Sequence, residues 1–226
     1  MRALIAGASP EPGGEAFYRQ ALAGADFVVA ADAGGEWCVS LGRIPDLVVG
    51  DFDSAAPGAP QRLRAAGIEV TEFSVEKDES DLELAVAAAL ARGAGSLTLT
   101  ACSGGRLDHT LASVGSLTRA GRSGTADLQE PSFAAWTVAG DQGAGIELQT
   151  RPGTTFSVLA VGEARGVSIT GGLFPLVAAA LPSLSSLGLS NIASGPTIMV
   201  SAEVGTLVVI VQVRPGHARP TLIPKA

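Results

Sequence analysis

Short apolar runs alternate with stretches of helical spacing through the first half of the chain. Residues 3–6, 27–30, 47–49, 68–73 and 97–100 are strand-like, and residues 14–23, 35–41, 60–66, 81–92 and 108–120 between them read as helices. The clearest helix is 81–92, where Leu82, Ala85, Val86 and Ala89 recur at helical spacing behind Ser80, a residue able to cap the N-terminus. Strand following helix in this order predicts an α/β domain with a mainly parallel sheet.

The texture changes after about Arg122. Helical runs fade, and β-like pieces appear at 134–138, 146–148, 155–160, 167–170, 197–200 and 206–213, with turns expected at Gly140-Asp141-Gln142-Gly143 and Gly171-Gly172. This half reads as a small antiparallel β domain. The expected division is near Gly140, giving residues 1–140 and 141–226. Residues 176–189, rich in Ala, Leu and Ser, are ambiguous between loop and helix.

Composition narrows the function classes. The chain has 226 residues, 46% hydrophobic and 4% aromatic, so its core is built mainly of Ala, Val and Leu. A net charge of -7 opposes the counterion release that rewards nucleic-acid binding, so no polynucleotide partner is expected. Phosphate ligands stay open where a metal and local cations offset the field. Cys38 and Cys102 have no metal-cage or disulfide spacing and read as buried free thiols of a reducing cytoplasm. The first apolar run is too short for a signal peptide, and residues 206–213 fall short of a membrane span, so a soluble protein is expected.

Candidate chemistry gathers where strands end. The segment Gly50-Asp51-Phe52-Asp53-Ser54 places two acids one residue apart after an apolar run; in an extended backbone both would face one hard cation while Phe52 turns to the core. The plain alternative is a solvated acidic turn. Three further segments share that address at the carboxyl edge of the sheet: Asp32, the run Lys77-Asp78-Glu79-Ser80-Asp81, and Ser103-Gly104-Gly105-Arg106-Leu107-Asp108-His109. Acids at a helix mouth are favoured by its dipole, which alone accounts for Asp81, yet Lys77 beside them can serve a phosphate. Gly104 and Gly105 let backbone amides approach an anion, with Arg106 forking onto its oxygens. The competing reading is a tight turn with Arg106 paired to an acid and Asp108 as helix cap. The Gly-rich run from Gly7 to Gly14 lacks both the P-loop ending and the dinucleotide spacing, though it can still flank a phosphate.

Taken in order, Asp32-Ala33-Gly34-Gly35, Pro45-Asp46-Leu47-Val48-Val49-Gly50-Asp51-Phe52-Asp53-Ser54, Lys77-Asp78-Glu79-Ser80-Asp81-Leu82-Glu83-Leu84-Ala85 and Gly104-Gly105-Arg106-Leu107-Asp108-His109 resemble the thiamine pyrophosphokinase family over residues 32–117. A weaker echo lies at Gly188-Leu189-Ser190-Asn191. The resemblance implies an α/β catalytic domain followed by an all-β sandwich that helps bind thiamine, a homodimer with sites at the subunit interface, and transfer of pyrophosphate from ATP to thiamine with release of AMP. It implies Mg²⁺ held by Asp51, Asp53 and Asp78, with Asp32, Asp53 and Asp81 as catalytic acids. Lys77, Gly104, Gly105, Arg106 and Asp108 would bind ATP, and Ser190 and Asn191 the thiamine side.

Three positions depart from the family pattern. Glu36 stands where an Asn is common, Ser113 where the family often has Asn, and no Trp lies near Ser190 to stack on a thiamine ring. A related diphosphokinase acting on another heterocyclic alcohol, such as a hydroxymethylpterin, and a metal-dependent phosphohydrolase are the competing enzymes. A non-catalytic nucleotide sensor is the competing binding protein.

Overall fold

The computed structural model describes residues 1–142 and 145–224. They form two compact units, Met1–Pro131 and Ser132–Ala226. In the first unit lie β1 (Arg2–Ser9), α1 (Glu15–Ala23), β2 (Phe27–Ala31), α2 (Gly34–Ser40), β3 (Leu47–Gly50), α3 (Ala59–Ala65), β4 (Glu69–Glu72), α4 (Asp81–Ala91), β5 (Ser96–Cys102), α5 (Leu107–Ser123) and β6 (Thr125–Gln129). Every pairing among these strands is parallel, in the order β6-β5-β1-β2-β3-β4.

Both faces of this sheet are covered, as a parallel sheet requires. Leu4, Ala6, Val28, Ala30 and Val48 pack with Tyr18, Leu22, Cys38 and Leu63 of the helices. The alternating Ala3, Ile5, Val29 and Val49 are equally buried. Helix α4 begins as its sequence predicts: the Ser80 hydroxyl accepts from the Glu83 N–H, and the Glu83 carboxylate accepts from the Ser80 N–H, a reciprocal capping box. At the start of α2 the chain passes so close to β1 that a Cβ on Gly34 would lie 2.7 Å from the Gly7 carbonyl oxygen. Strand β6 has no apolar run in the sequence. Only Ala126 and Leu128 of its five residues turn inward, and its pairing with β5 creates it.

The second unit is antiparallel in every strand pairing described. It contains β7 (Phe133–Ala139), β8 (Ile146–Gln149), β9 (Thr155–Thr170), β10 (Leu176–Leu181), β11 (Asn191–Ile192), β12 (Thr197–Ser201), β13 (Val204–Gln212) and β14 (Thr221–Leu222). The two pieces expected at 155–160 and 167–170 are one continuous strand, β9, because pairing with β13 runs through the polar interval between them. Residues 176–189 resolve into β10 and a 3-10 turn at Ser186–Gly188. Strand β7 is paired with β13 from Phe133 to Ala139, which places it in this unit although the change in sequence texture suggests a division near Gly140. Gly140–Gln142 form a 3-10 turn, and Gly143 lies outside the described residues.

The chain is thus a mixed fold of sheet and helices. Among the described residues no helix is long and apolar enough to cross a membrane. Cys38 and Cys102 are buried and free, and burial pushes the Cys38 thiol up to about 12.

Candidate active site

Chain order reverses between β1 and β5, the neighbours from which the sheet of the first unit is wound in opposite directions. The carboxyl ends of strands at such a point form a ligand crevice. Asp32 follows β2, Asp51 follows β3, Lys77 to Asp81 join β4 to α4, and Gly104 to Asp108 join β5 to α5. The four segments singled out in the sequence therefore share one edge of one sheet.

Asp32 is the most constrained of them. It is only 6% exposed and sits at φ 50°, a left-handed conformation uncommon for a residue with a Cβ. Its N–H donates to the Val49 carbonyl at 2.8 Å, and its carbonyl accepts from the Gly35 N–H at 3.0 Å. A Cβ on Gly50 would lie 3.0 Å from the Asp32 Cα, so Gly50 permits the approach of the two strand ends. The Ser54 hydroxyl donates to Asp32 Oδ2, while Oδ1 is buried with no hydrogen-bond partner. An ionisable oxygen left in that state is costly unless a ligand or ion completes it.

The Asp51-Phe52-Asp53 segment is not extended. Phe52 has φ 59°, and the Asp53 N–H donates to Asp51 Oδ1 at 3.1 Å, closing a tight turn. The two carboxylates are consequently not set side by side by a strand repeat, although Phe52 does pack toward the core. Asp51 is turned onto Lys77, whose ammonium donates to Asp51 Oδ2 and stands 3.2 Å from Asp81 Oδ1. Asp53 and Asp78 are exposed.

Lys77 is the hinge of this charge cluster. Its hydrogen bond holds the Asp51 carboxyl below the usual range, against the opposing effect of burial. Burial pulls the Lys77 ammonium down, but Asp51 and Asp81 together more than offset it and leave it raised. Burial raises Asp81; Lys77 opposes the rise, and the charges of Asp51 and Asp32 add to it. Asp32, Asp51 and Asp81 are therefore near enough for their charges to act on one another around a single lysine, an arrangement that leaves Asp81 more proton-avid than Asp51.

The other side of the crevice is made by two loops. A Cβ on Gly104 would meet the carbonyl oxygens of Ser9 and Pro10, each at 2.7 Å, and the Gly104 N–H donates to Ser9 at 2.9 Å. Gly105 is left-handed at φ 86°. The glycines bring the β5–α5 turn against the β1–α1 loop, whose Gly-rich run the sequence could not connect to the acids. Arg106 pairs with Asp108 through two hydrogen bonds, at 2.6 and 3.1 Å, and both side chains are exposed. Asp108 is not the helix cap, a position held by Arg106 without a side-chain hydrogen bond. Ser113 is buried and donates to the Cys102 carbonyl at 2.9 Å, tying α5 to the end of β5.

Behind the β1–α1 loop lies a buried contact that no motif announces. The Tyr18 hydroxyl accepts from the Glu11 N–H at 2.8 Å and donates to Glu130 Oε2 at 2.6 Å; Glu130 Oε1 accepts from the Cys102 N–H at 2.9 Å. Glu130, wholly buried, thus joins the ends of β5 and β6 to the loop after β1. A Tyr and a Glu 112 residues apart carry no local signal of pairing.

Carboxylate oxygens are the donors a hard divalent cation takes, and the orphaned Asp32 Oδ1 fits one. Among the described residues, however, no three acidic, histidine or cysteine side chains are gathered closely enough to hold a metal. Lys77 supplies the neutralising charge between Asp51 and Asp81.

Ser190 and Asn191 belong to the second unit. Ser190 is left-handed at φ 55°, and its N–H donates to Ser157 Oγ at 3.1 Å. Asn191 is buried: its Oδ1 accepts from the N–H groups of Phe174 and Ile192 at 3.1 and 2.9 Å, and its Nδ2 donates to the Phe174 carbonyl at 2.7 Å. The carboxamide is thereby spent on backbone. What it presents is Phe174, 63% exposed and held at both main-chain groups, an aromatic the sequence pattern did not single out.

Residues 18–127 match the family described as the catalytic domain of thiamin pyrophosphokinase. The thiamine pyrophosphokinase of Bacillus subtilis is 31% identical over 86 residues, a stretch covering 38% of this chain and 40% of that relative. In structure the chain is similar to thiamine pyrophosphokinase from Bacillus subtilis, with TM-score 0.78 and 20% identity, covering 95% of this chain and 100% of the other. It is also similar to thiamin pyrophosphokinase from Geobacillus thermodenitrificans, with TM-score 0.78 and 23% identity over 96% and 99% of the two chains. At such identities the structural likeness speaks for the fold.

Proposed function

With residues 18–127 matching a thiamin pyrophosphokinase catalytic domain, we propose that this protein transfers a pyrophosphoryl group from ATP to the hydroxyl of thiamine, releasing AMP. The observation that carries the reading is Lys77 held between Asp51 and Asp81 beside the unpartnered oxygen of Asp32, at the carboxyl edge of the sheet. Phosphoryl chemistry asks the protein chiefly for positioning and charge, and this edge offers one cation among acids.

In this reading Lys77 exchanges a carboxylate for a phosphate oxygen, and Arg106 leaves Asp108 to fork onto the nucleotide. The backbone of Gly104 and Gly105 lies along the phosphates. Asp81, raised by burial, or Asp32, with its free oxygen, orients the alcohol and accepts its proton. Asp51, Asp53 and Asp78 would hold Mg²⁺ once Asp51 is drawn off Lys77. Bound there, the ion would neutralise charge on the transferred oxygens.

On the acceptor side, Ser190 would contact thiamine, and Phe174, clamped by Asn191, offers an aromatic face for a heterocycle. We further propose that the antiparallel second unit is a β sandwich, that the first unit does the catalytic work and the second the substrate-binding work, and that the protein is a cytoplasmic homodimer without nucleic-acid or membrane partners. The hydroxymethylpterin and phosphohydrolase readings are not favoured.

Incubation with ATP, Mg²⁺ and thiamine should yield AMP and thiamine diphosphate in equal amounts. ADP or inorganic phosphate as the main product would overturn the proposal. Asp53→Asn should abolish transfer without loss of folding; retained activity removes Asp53 from the site.

A further inference from the structure

The second unit holds a cavity of about 580 Å³ whose described lining includes Arg151, Arg214, His217 and Arg219 and no Asp or Glu. In a chain of net charge -7 a cavity lined by three arginines and no acid is unusual. Every other arginine has a hydrogen-bond or ion-pair partner, but the guanidinium groups of Arg151 and Arg214 have none among the described residues. Both open on this one cavity.

The two loops that carry them are pre-ordered. Between β8 and β9, the Thr154 N–H donates to the Arg151 carbonyl at 3.0 Å, the Arg151 N–H donates to Thr154 Oγ1 at 3.3 Å, and the Gly153 N–H donates to Ala193 at 2.9 Å. After β13, Arg214-Pro215-Gly216-His217 closes a turn through His217 N–H to the Arg214 carbonyl at 3.1 Å, with Gly216 at φ 77°. Pro at the second and a left-handed Gly at the third position are the demands of a type II turn, which sets Arg214 and His217 at its two ends. The His217 ring donates through Nδ1 to the Pro215 carbonyl at 3.2 Å, leaving Nε2 available. Arg219 is anchored by donation to the Phe133 carbonyl at 2.9 Å. Thr150, Thr154, Thr155 and Gln212 complete a polar wall.

We propose that this cavity is a binding site for a small organic phosphate carrying two or more negative charges. Guanidinium forks match phosphate oxygens in pairs, the hydroxyl and amide groups suit the remaining acceptors, and the volume is that of a small-molecule site. The inference concerns residues other than those assigned to the transferase reaction and stands whether or not that reading is correct.

The test is calorimetric titration of the full chain with inorganic pyrophosphate in EDTA at low salt, in a Lys77→Ala, Arg106→Ala background that disables the phosphate contacts of the first unit. Binding of one pyrophosphate is expected there, weakened at least about tenfold by adding Arg151→Gln and Arg214→Gln, since each removes a charged hydrogen-bonding group. Arg214→Lys, which keeps the charge but loses the fork, should fall between. Both side chains are surface groups, and an unchanged melting temperature identifies the loss as local. Companion titrations with AMP and thiamine diphosphate distinguish a nucleotide from a reaction product as the occupant. No binding in that background, binding indifferent to both substitutions, or tighter binding of an acidic peptide than of any phosphate would overturn the proposal.

Discussion

Removing the Tyr18 hydroxyl tests whether the buried contact beneath the β1–α1 loop supports the first unit. In Tyr18→Phe the ring keeps its volume and its edge contacts with Phe17 and Trp37, whose centroids lie 5.2 and 5.1 Å away. Only the donation to Glu130 Oε2 and the acceptance from the Glu11 N–H are lost. Glu11 is only half-buried whereas Glu130 is wholly buried, so the cost falls mainly on the Glu130 side, about 1–3 kcal/mol. That corresponds to a fall in melting temperature of roughly 3–9 °C.

The same network makes a pH prediction of definite sign. Burial raises the Glu130 carboxyl above its ordinary 4.5, with the Tyr18 hydrogen bond opposing the rise. As pH climbs from 4.5 to the folded value, the unfolded chain has released this proton and the folded chain has not, so stability falls across that window. Glu130→Gln removes the dependence, and the melting temperature of this variant minus that of the natural chain should become more favourable as pH rises from 4 to 7. Thermal unfolding of the three proteins across that range is the assay. A flat difference for Glu130→Gln, or a Tyr18→Phe protein within about 0.5 kcal/mol of the natural chain at every pH, would refute the reasoning.

Ser80→Ala dissolves the capping box of α4 and should cost about 1 kcal/mol, read from urea unfolding. Gly34→Ala forces a methyl to within 2.7 Å of the Gly7 carbonyl oxygen; it should cost about 1–3 kcal/mol and lower turnover as well, because α2 and Asp32 move together. Lys77→Ala should reduce AMP formation at least about a hundredfold, and a loss below threefold would remove Lys77 from the reaction.

Much of the first unit was legible because its signals are local. Ser80 and Glu83 are three residues apart, and the periodicity of Leu82, Ala85, Val86 and Ala89 sits behind them, so α4 was readable within a residue at either end. β6 was not, because Thr125 to Gln129 become a strand by pairing with β5 rather than by their own pattern. The same limit applied to residues 176–181, which the sequence left between loop and helix and which pairing with β9 makes a strand. Within the site, the order of acids was readable and their geometry was not. A left-handed Phe52 undid the side-by-side carboxylates expected of a strand, and Asp51 turned to Lys77 instead.

The sequence by itself determined which residues carry charge, which strands precede them, and the succession of four motifs that points to one family, since composition and short-range spacing are properties of the chain alone. Only the tertiary structure decided that β1 and β5 are neighbours, so that the loop after Ser9 meets Gly104, and that Tyr18 reaches Glu130. It also decided that Arg151 and Arg214 open on one cavity. These are contacts between segments far apart in the chain, and their partners are chosen by strand order and burial, which no local pattern encodes.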